Sequence, residues 1–80
     1  MTSTIEISLY PLNNEYPSAV LEFLNQLGTL EAEITTNGMS TIIIGEYDKL
    51  WPGLGRLMEK QFAGMDSIFV LKVAPGRREV

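Results

Sequence analysis

Side chains that can contact a small ligand occur in two short stretches of this chain. The candidates are Ser8 and Tyr10 in the first stretch and Glu33, Asn37, Ser40 and Thr41 in the second. Hydroxyl groups donate and accept hydrogen bonds, and a carboxylate supplies the counter-charge for a cation. A tyrosine ring in contact with a cation contributes about 0.5–2 kcal/mol. This combination is suited to holding a flat cationic molecule by non-covalent contacts.

The sequence of 80 residues contains neither cysteine nor histidine. The missing cysteines exclude disulfides, a thiolate nucleophile and cysteine-based metal sites, and the missing histidines remove the commonest general base. We therefore expect no enzyme activity, no cofactor and no metal ion. An enzyme of this composition would have to use Tyr10 and a glutamate with a raised pKa for acid–base chemistry.

The net charge is −4, from ten acidic and six basic residues. This sign disfavours nucleic acid, whose phosphates bind basic proteins, and it favours a cationic small molecule. No apolar run reaches the roughly 20 residues that a membrane helix needs, and the N-terminus lacks the pattern of a signal peptide. We therefore expect a cytoplasmic protein with neither a nucleic-acid nor a membrane partner.

The first half of the chain has the patterns of a strand followed by a helix. Alternating apolar and polar residues predict a strand over 4–10 that Pro11 ends, with Ser8 and Tyr10 opposite its apolar face. Apolar residues at helical spacing then predict a first helix, which begins near Pro17 and is closed by Gly28.

A second helix and an outer strand follow in the second half. Asp48 is the predicted N-cap of this helix, and Gly64 ends it. Two glycines inside it, Gly53 and Gly55, weaken a helix, and we expect them to allow close approach to a neighbouring element. Residues 67–73 predict a strand that is apolar on both faces.

The dipeptide Asn37-Gly38 marks a hairpin between the second and third strands, over 30–36 and 40–44. A two-residue loop would pair Ile34 with Thr41, and a three-residue loop would pair Ile34 with Ile42. We favour the longer loop because it keeps the apolar face continuous. In that register the sheet face without helices carries Thr41, Ile43 and Gly45 beside Glu33 and Thr35.

The order of elements predicts an α+β fold, the ferredoxin-like βαββαβ sandwich, with a four-stranded antiparallel sheet and both helices on one face. We expect one domain over residues 1–80, of which 75–80 form a polar tail with Arg77 and Arg78 in solvent. The face without helices, called the open face below, exposes the apolar fourth strand. A second copy of the chain is its simplest partner.

Two short motifs resemble those of a known family. The run Ile7-Ser8-Leu9-Tyr10-Pro11-Leu12 resembles the strand-one motif of the YkoF-like thiamine/hydroxymethylpyrimidine-binding proteins. Ser40-Thr41 followed by Gly45 resembles the strand-three motif of the same family, and Lys72-Val73 and Arg77-Arg78 are similar to its single-domain members. The resemblance implies a ferredoxin-like fold, binding of thiamine or its pyrimidine moiety without catalysis, and assembly into a dimer or tetramer.

By position, the resemblance implies that Ser8, Tyr10, Ser40 and Thr41 face the ligand. Glu33 and Asn37 are added from their place on the hairpin beside the second motif. Other interpretations stay open: alternating glutamates are typical of a solvated strand face, and Asn37 is typical of a turn. There are two alternative functions. The chain could be an assembly or regulatory module without a thiamine ligand, or a small dimeric α/β-barrel enzyme.

Overall fold

The structure is a computed structural model that describes residues 1–12, 16–37 and 40–78, with only the backbone of residues 16 and 17. Its elements follow the predicted order βαββαβ. They are β1 (Thr2–Pro11), α1 (Tyr16–Leu27), β2 (Glu33–Thr36), β3 (Thr41–Glu46), α2 (Tyr47–Gly64) and β4 (Ser67–Pro75). The predicted role of the Pro17 side chain at the start of α1 lies outside the described part of the chain.

The four strands form one antiparallel sheet in the order β2-β3-β1-β4, so that β1 and β3 are the central strands. Both helices pack on the same face of this sheet, against the odd-numbered residues of β1. The prediction of a ferredoxin-like α+β fold is therefore confirmed. None of the helices in the described part of the chain is long and apolar enough to span a membrane.

The core lies between the sheet and the two helices. Its fully buried side chains come from β1, α1, β3 and α2, and they are Ile5, Ile7, Phe23, Leu27, Ile43, Leu50 and Leu54. Phe69 of β4 closes one side, with its ring 4.9 Å from that of Phe23. Burying each large apolar side chain contributes about 1.5–3 kcal/mol, so this layer fixes how the helices sit on the sheet.

Several predicted ends of elements are wrong by a few residues. Pro11 ends β1 as predicted, paired with Ser67 of β4, but the strand begins at Thr2 rather than at residue 4. The second helix begins at Tyr47, so Asp48 lies within its first turn, and Glu46 occupies the N-cap position without a side-chain cap. A carboxylate in the first turn interacts favourably with the helix dipole, so Asp48 still marks the start of the helix.

The hairpin register differs from both predicted alternatives. Ile34 pairs with Ile43, and Thr36 pairs with Thr41, so that Asn37 and Ser40 both lie outside the ladder. Thr41, Ile43 and Gly45 are opposite Ile7, Ile5 and Ser3 of β1, in that order, and therefore face the helices. Their predicted position on the open face is wrong. Glu33 and Thr35 do lie on the open face, and their neighbours in β3 are Ile44 and Ile42.

The side chains of Arg77 and Arg78 are exposed, and the backbone of this C-terminal segment is bound to the sheet. Pro75 still belongs to β4, and Gly76 then turns the chain with a φ of 75°, a conformation that glycine adopts readily. The Thr4 hydroxyl donates to the Gly76 carbonyl at 2.8 Å and accepts the Arg78 backbone N–H at 2.9 Å. Residues 76–78 are thereby held against the open face at Thr4, which is buried.

Candidate functional site

A cavity of about 110 Å³ opens where β1 and β3 separate. The β1–β3 ladder extends to the pair Ile7 and Thr41, whereas the β1–β4 ladder continues to the pair Pro11 and Ser67. The β2–β3 loop and α1 complete the walls. The cavity exists because β1 is longer than the strand beside it.

The lining combines apolar and hydrogen-bonding side chains. The apolar residues are Ile7, Leu9, Val20, Phe23 and Leu24, and the polar residues are Ser8, Thr36, Asn37, Ser40 and Thr41. Four of the six predicted site residues, Ser8, Asn37, Ser40 and Thr41, are thus brought together. None of these ten residues carries a charge at neutral pH. A cavity of roughly 150 Å³ accommodates benzene, so this one matches part or most of a single ring rather than a two-ring molecule.

Two polar residues of the cavity wall, Asn37 and Ser40, are joined by hydrogen bonds to each other. The Asn37 side-chain oxygen accepts the Ser40 backbone N–H at 2.9 Å, and the Asn37 backbone N–H donates to the Ser40 carbonyl at 3.0 Å. Asparagine commonly closes turns in this way, and so the alternative interpretation of Asn37 as a turn residue applies together with its place in the cavity wall. These bonds hold Ser40 in position.

Thr41 lies in the cavity wall from the side of the helices. It is only 3% exposed, and its hydroxyl is 3.2 Å from that of Thr36, the residue opposite it in β2. The sequence argument placed Thr41 on the open face, whereas the structure places it on the face of the helices. A one-residue change of register exchanges the faces of a strand, which is the physical reason for the error.

Tyr10 and Glu33 lie outside the cavity wall. Tyr10 is about half exposed on the open face beside Ile68 of β4. Glu33 forms an ion pair with Arg77, and this hydrogen bond and charge lower the pKa of the Glu33 carboxyl below its ordinary value. Glu33 therefore already has a cation from its own chain.

A carboxylate that was not among the predicted site residues lies next to the cavity. The Ser40 hydroxyl is 3.4 Å from one oxygen of Glu6, and the Lys72 ammonium is 3.7 Å from the other. Glu6 precedes Ser8 by two positions on the same face of β1. Its pairing with Lys72 follows from the β1–β4 register, which joins the two ends of the chain, and local sequence patterns carry no signal for it.

A second cleft, of about 300 Å³, lies between the two helices. It is lined by residues of α1 and the end of α2, among them Glu22, Gln26 and Lys60. None of the predicted site residues contributes to it. The smaller cavity at the β1–β3 separation is therefore the candidate site.

Solved structures with the same fold come from several microorganisms. A protein of Streptococcus pneumoniae has a TM-score of 0.86 and 21% identity over 96% of this chain and 89% of its own. A proposed thiamine biosynthesis/salvage protein of Thermotoga maritima has a TM-score of 0.86 and 10% identity over 95% of this chain and 85% of its own. A domain of unknown function, DUF77, from Bacillus cereus has a TM-score of 0.74 and 19% identity over 92% and 75%. Neither a family model nor a curated protein matches the sequence.

Proposed function

We propose that this chain is a non-catalytic, cytoplasmic binding protein for thiamine or its hydroxymethylpyrimidine moiety, with the pyrimidine ring in the cavity at the β1–β3 separation. The observation that carries the proposal is the lining of that cavity. Its lining combines apolar side chains with residues that carry hydroxyl or amide groups, among them Ser8, Asn37, Ser40 and Thr41. A planar, uncharged heterocycle with several donors and acceptors is the chemical class that such a lining suits.

Two further observations support this ligand. The motifs around Ser8 and around Ser40-Thr41 are similar to those of the YkoF-like thiamine/hydroxymethylpyrimidine-binding proteins, and both contribute to the same cavity. The Thermotoga maritima protein with this fold is one that is proposed to act in thiamine biosynthesis or salvage. The cavity volume of about 110 Å³ favours the pyrimidine as the enclosed part, with the rest of thiamine outside.

Binding without catalysis is the interpretation that the titratable groups favour. An enzyme with this composition needs a tyrosine and a glutamate of raised pKa at the site. Tyr10 and Glu33 lie outside the cavity wall, and the pKa of Glu33 is lowered rather than raised. The ten lining residues offer hydrogen bonds but no group with a pKa near neutrality.

A second function, self-association, is favoured by the open face. Tyr10, Ile68 and Val70 form an apolar surface there, each about half exposed, at the end of the sheet nearest the cavity. A soluble domain of this size gains stability by covering such a surface, and we propose that a second copy of the chain covers it. Dimer or tetramer formation is then part of the function, and the surface used for it lies beside the ligand cavity.

Thermal unfolding with and without hydroxymethylpyrimidine tests the main proposal. A ligand at 100 times its dissociation constant stabilises the folded state by about 2.7 kcal/mol. For a domain of this length each kcal/mol raises the unfolding midpoint by roughly 4–8 °C. We expect a clear increase for the wild type, and a smaller one for Ser40→Ala, which removes one hydroxyl from the cavity wall.

The matched control is Ser18→Ala, because Ser18 is an exposed serine on α1 that does not line this cavity. It should respond to the ligand as the wild type does. No increase with either hydroxymethylpyrimidine or thiamine at millimolar concentration would refute the proposed function and leave self-association as the function to pursue. An equal response of Ser40→Ala and the wild type would show that the ligand binds elsewhere.

A further inference from the structure

Glu6 is a partly buried carboxylate at the border between the cavity and the open face. We infer that it forms a second part of the site, which accepts a cationic group attached to the ring that the cavity encloses. This inference rests on the proposed function, and it adds a charge requirement that the uncharged lining of the cavity does not contain.

The first argument is the distance between Glu6 and the cavity wall. Ser40 lines the cavity, and its hydroxyl is 3.4 Å from Glu6 Oε2. Ser8, which also lines the cavity, follows Glu6 on the same strand face, at about 6.5 Å for two residues of an extended strand. A group that leaves the cavity past Ser40 therefore reaches the carboxylate within the length of one further ring.

The second argument is the weakness of the contacts that Glu6 has within the chain. Its side chain is 24% exposed, yet the nearest cation, the Lys72 ammonium, is 3.7 Å away and belongs to a side chain that is 80% exposed. A flexible, solvated lysine contributes little to such a pair. A carboxylate in a partly buried position interacts more strongly with a cation that is held against it than with one in water.

The third argument is that a ligand cation would replace Lys72 without loss of hydrogen bonds in the fold. Lys72 is at the surface of β4, an edge strand, and its ammonium can turn into solvent. The contact between Ser40 and Glu6 stays available on the cavity side. An anionic group in the same position would face the carboxylate and be repelled.

The test compares a neutral and a cationic ligand that share the same ring. Dissociation constants of hydroxymethylpyrimidine and thiamine are measured by calorimetry for the wild type, Glu6→Gln and Lys72→Met. We expect Glu6→Gln to weaken thiamine binding about tenfold, as for the loss of one partly screened charge pair of about 1.4 kcal/mol. Binding of hydroxymethylpyrimidine should change less than about twofold, and Lys72→Met should strengthen thiamine binding.

A salt series separates the charge from a structural effect. In the wild type, thiamine binding should weaken with rising ionic strength, because salt screens the contact with Glu6, and this dependence should be reduced in Glu6→Gln. Equal weakening of both ligands in Glu6→Gln, or no change in either, overturns the inference while the proposed function stands. Failure of both ligands to bind the wild type overturns the proposed function and the inference with it.

Discussion

Arg77 and Glu33 form an ion pair that links the two edges of the sheet, since Arg77 follows β4 and Glu33 is the first residue of β2. The turn at Gly76 directs the segment back over the open face, and Thr4 binds that segment through two hydrogen bonds. The strands between the two edges are thus crossed by residues 76–78. The open face is covered at Thr4 by residues 76–78, whereas its other end, with Tyr10, Ile68 and Val70, is exposed.

This ion pair predicts a contribution to stability that depends on pH. Arg77 lowers the pKa of Glu33 in the folded state. The contribution is therefore present above the pKa of an unfolded glutamate, about 4.3, and it is lost as the pH falls through the lower folded value. Arg77→Gln should lower the unfolding temperature at neutral pH, and its difference from the wild type should shrink in acid and in high salt.

The measurement is the unfolding temperature of both proteins from neutral pH into the acid range. Arg56→Gln is the control, because Arg56 is an exposed arginine on α2 with the same charge. Its difference from the wild type should lack the dependence that follows the Glu33 titration. A difference for Arg77→Gln that is constant over the whole range would show that the ion pair contributes nothing.

The order of the elements could be predicted from the sequence because each signal is local. Alternation over residues 4–10 fixed which side of β1 enters the core, and Ile5 and Ile7 are indeed buried there. Helical spacing located both helices within a few residues. It places Leu21 on the buried face of α1 and Phe23 at the margin, whereas in the structure Phe23 is buried and Leu21 is exposed. Given that order, chirality and sheet-packing rules leave few topologies.

The face of β3 could not be predicted by the same means. Ile42, Ile43 and Ile44 are consecutive, so the strand has an apolar side in either register, and the turn signal at Asn37 permits loops of different lengths. The sequence grouped Ser8 with Ser40, and the structure brings both to one cavity. The contact between Ser40 and Glu6 could not be predicted, because it depends on how two distant strands are aligned.

Two glycines of α2 predict opposite outcomes for the same substitution. A Cβ atom at Gly55 would meet no atom within 4 Å beyond its own helix backbone, whereas one at Gly53 would lie 2.6 Å from Leu30 Cδ2. Alanine is better than glycine inside a helix by about 0.8–1 kcal/mol. Gly55→Ala should therefore raise the free energy of unfolding by up to about 1 kcal/mol, and Gly53→Ala should raise it less or lower it.

Chemical denaturation of the two variants measures this difference, and each serves as the control for the other. Gly53 thus allows the close approach that was expected of both glycines, and Gly55 does not. Equal stabilisation by both alanines would mean that Leu30, a half-buried side chain, moves away at no cost.

If the protein self-associates through the exposed end of the open face, a charge placed there should change its oligomeric state. Ile68→Arg places a cation in the apolar surface with Tyr10 and Val70, and a charge at the centre of an interface is strongly unfavourable. We expect sedimentation analysis to give a dimer or tetramer for the wild type and a smaller species for Ile68→Arg. Leu21→Arg is the control, since Leu21 is equally apolar and more exposed, on α1. A wild type that sediments as a monomer would refute this second function.

We expect a substitution that fills the cavity to weaken binding of the pyrimidine while the protein still folds. Val20 is a half-buried residue in the cavity wall, and its neighbour Leu21 is exposed and does not line the cavity. Val20→Phe adds a ring to a space of about 110 Å³, so the pyrimidine should bind at least about tenfold more weakly. Overpacking costs about 1–3 kcal/mol, which circular dichroism and denaturation will measure.

Leu21→Phe adds a ring one position away and should bind as the wild type does. If Val20→Phe folds and binds with unchanged affinity, the ligand does not occupy this cavity, and the cleft between the two helices becomes the next candidate.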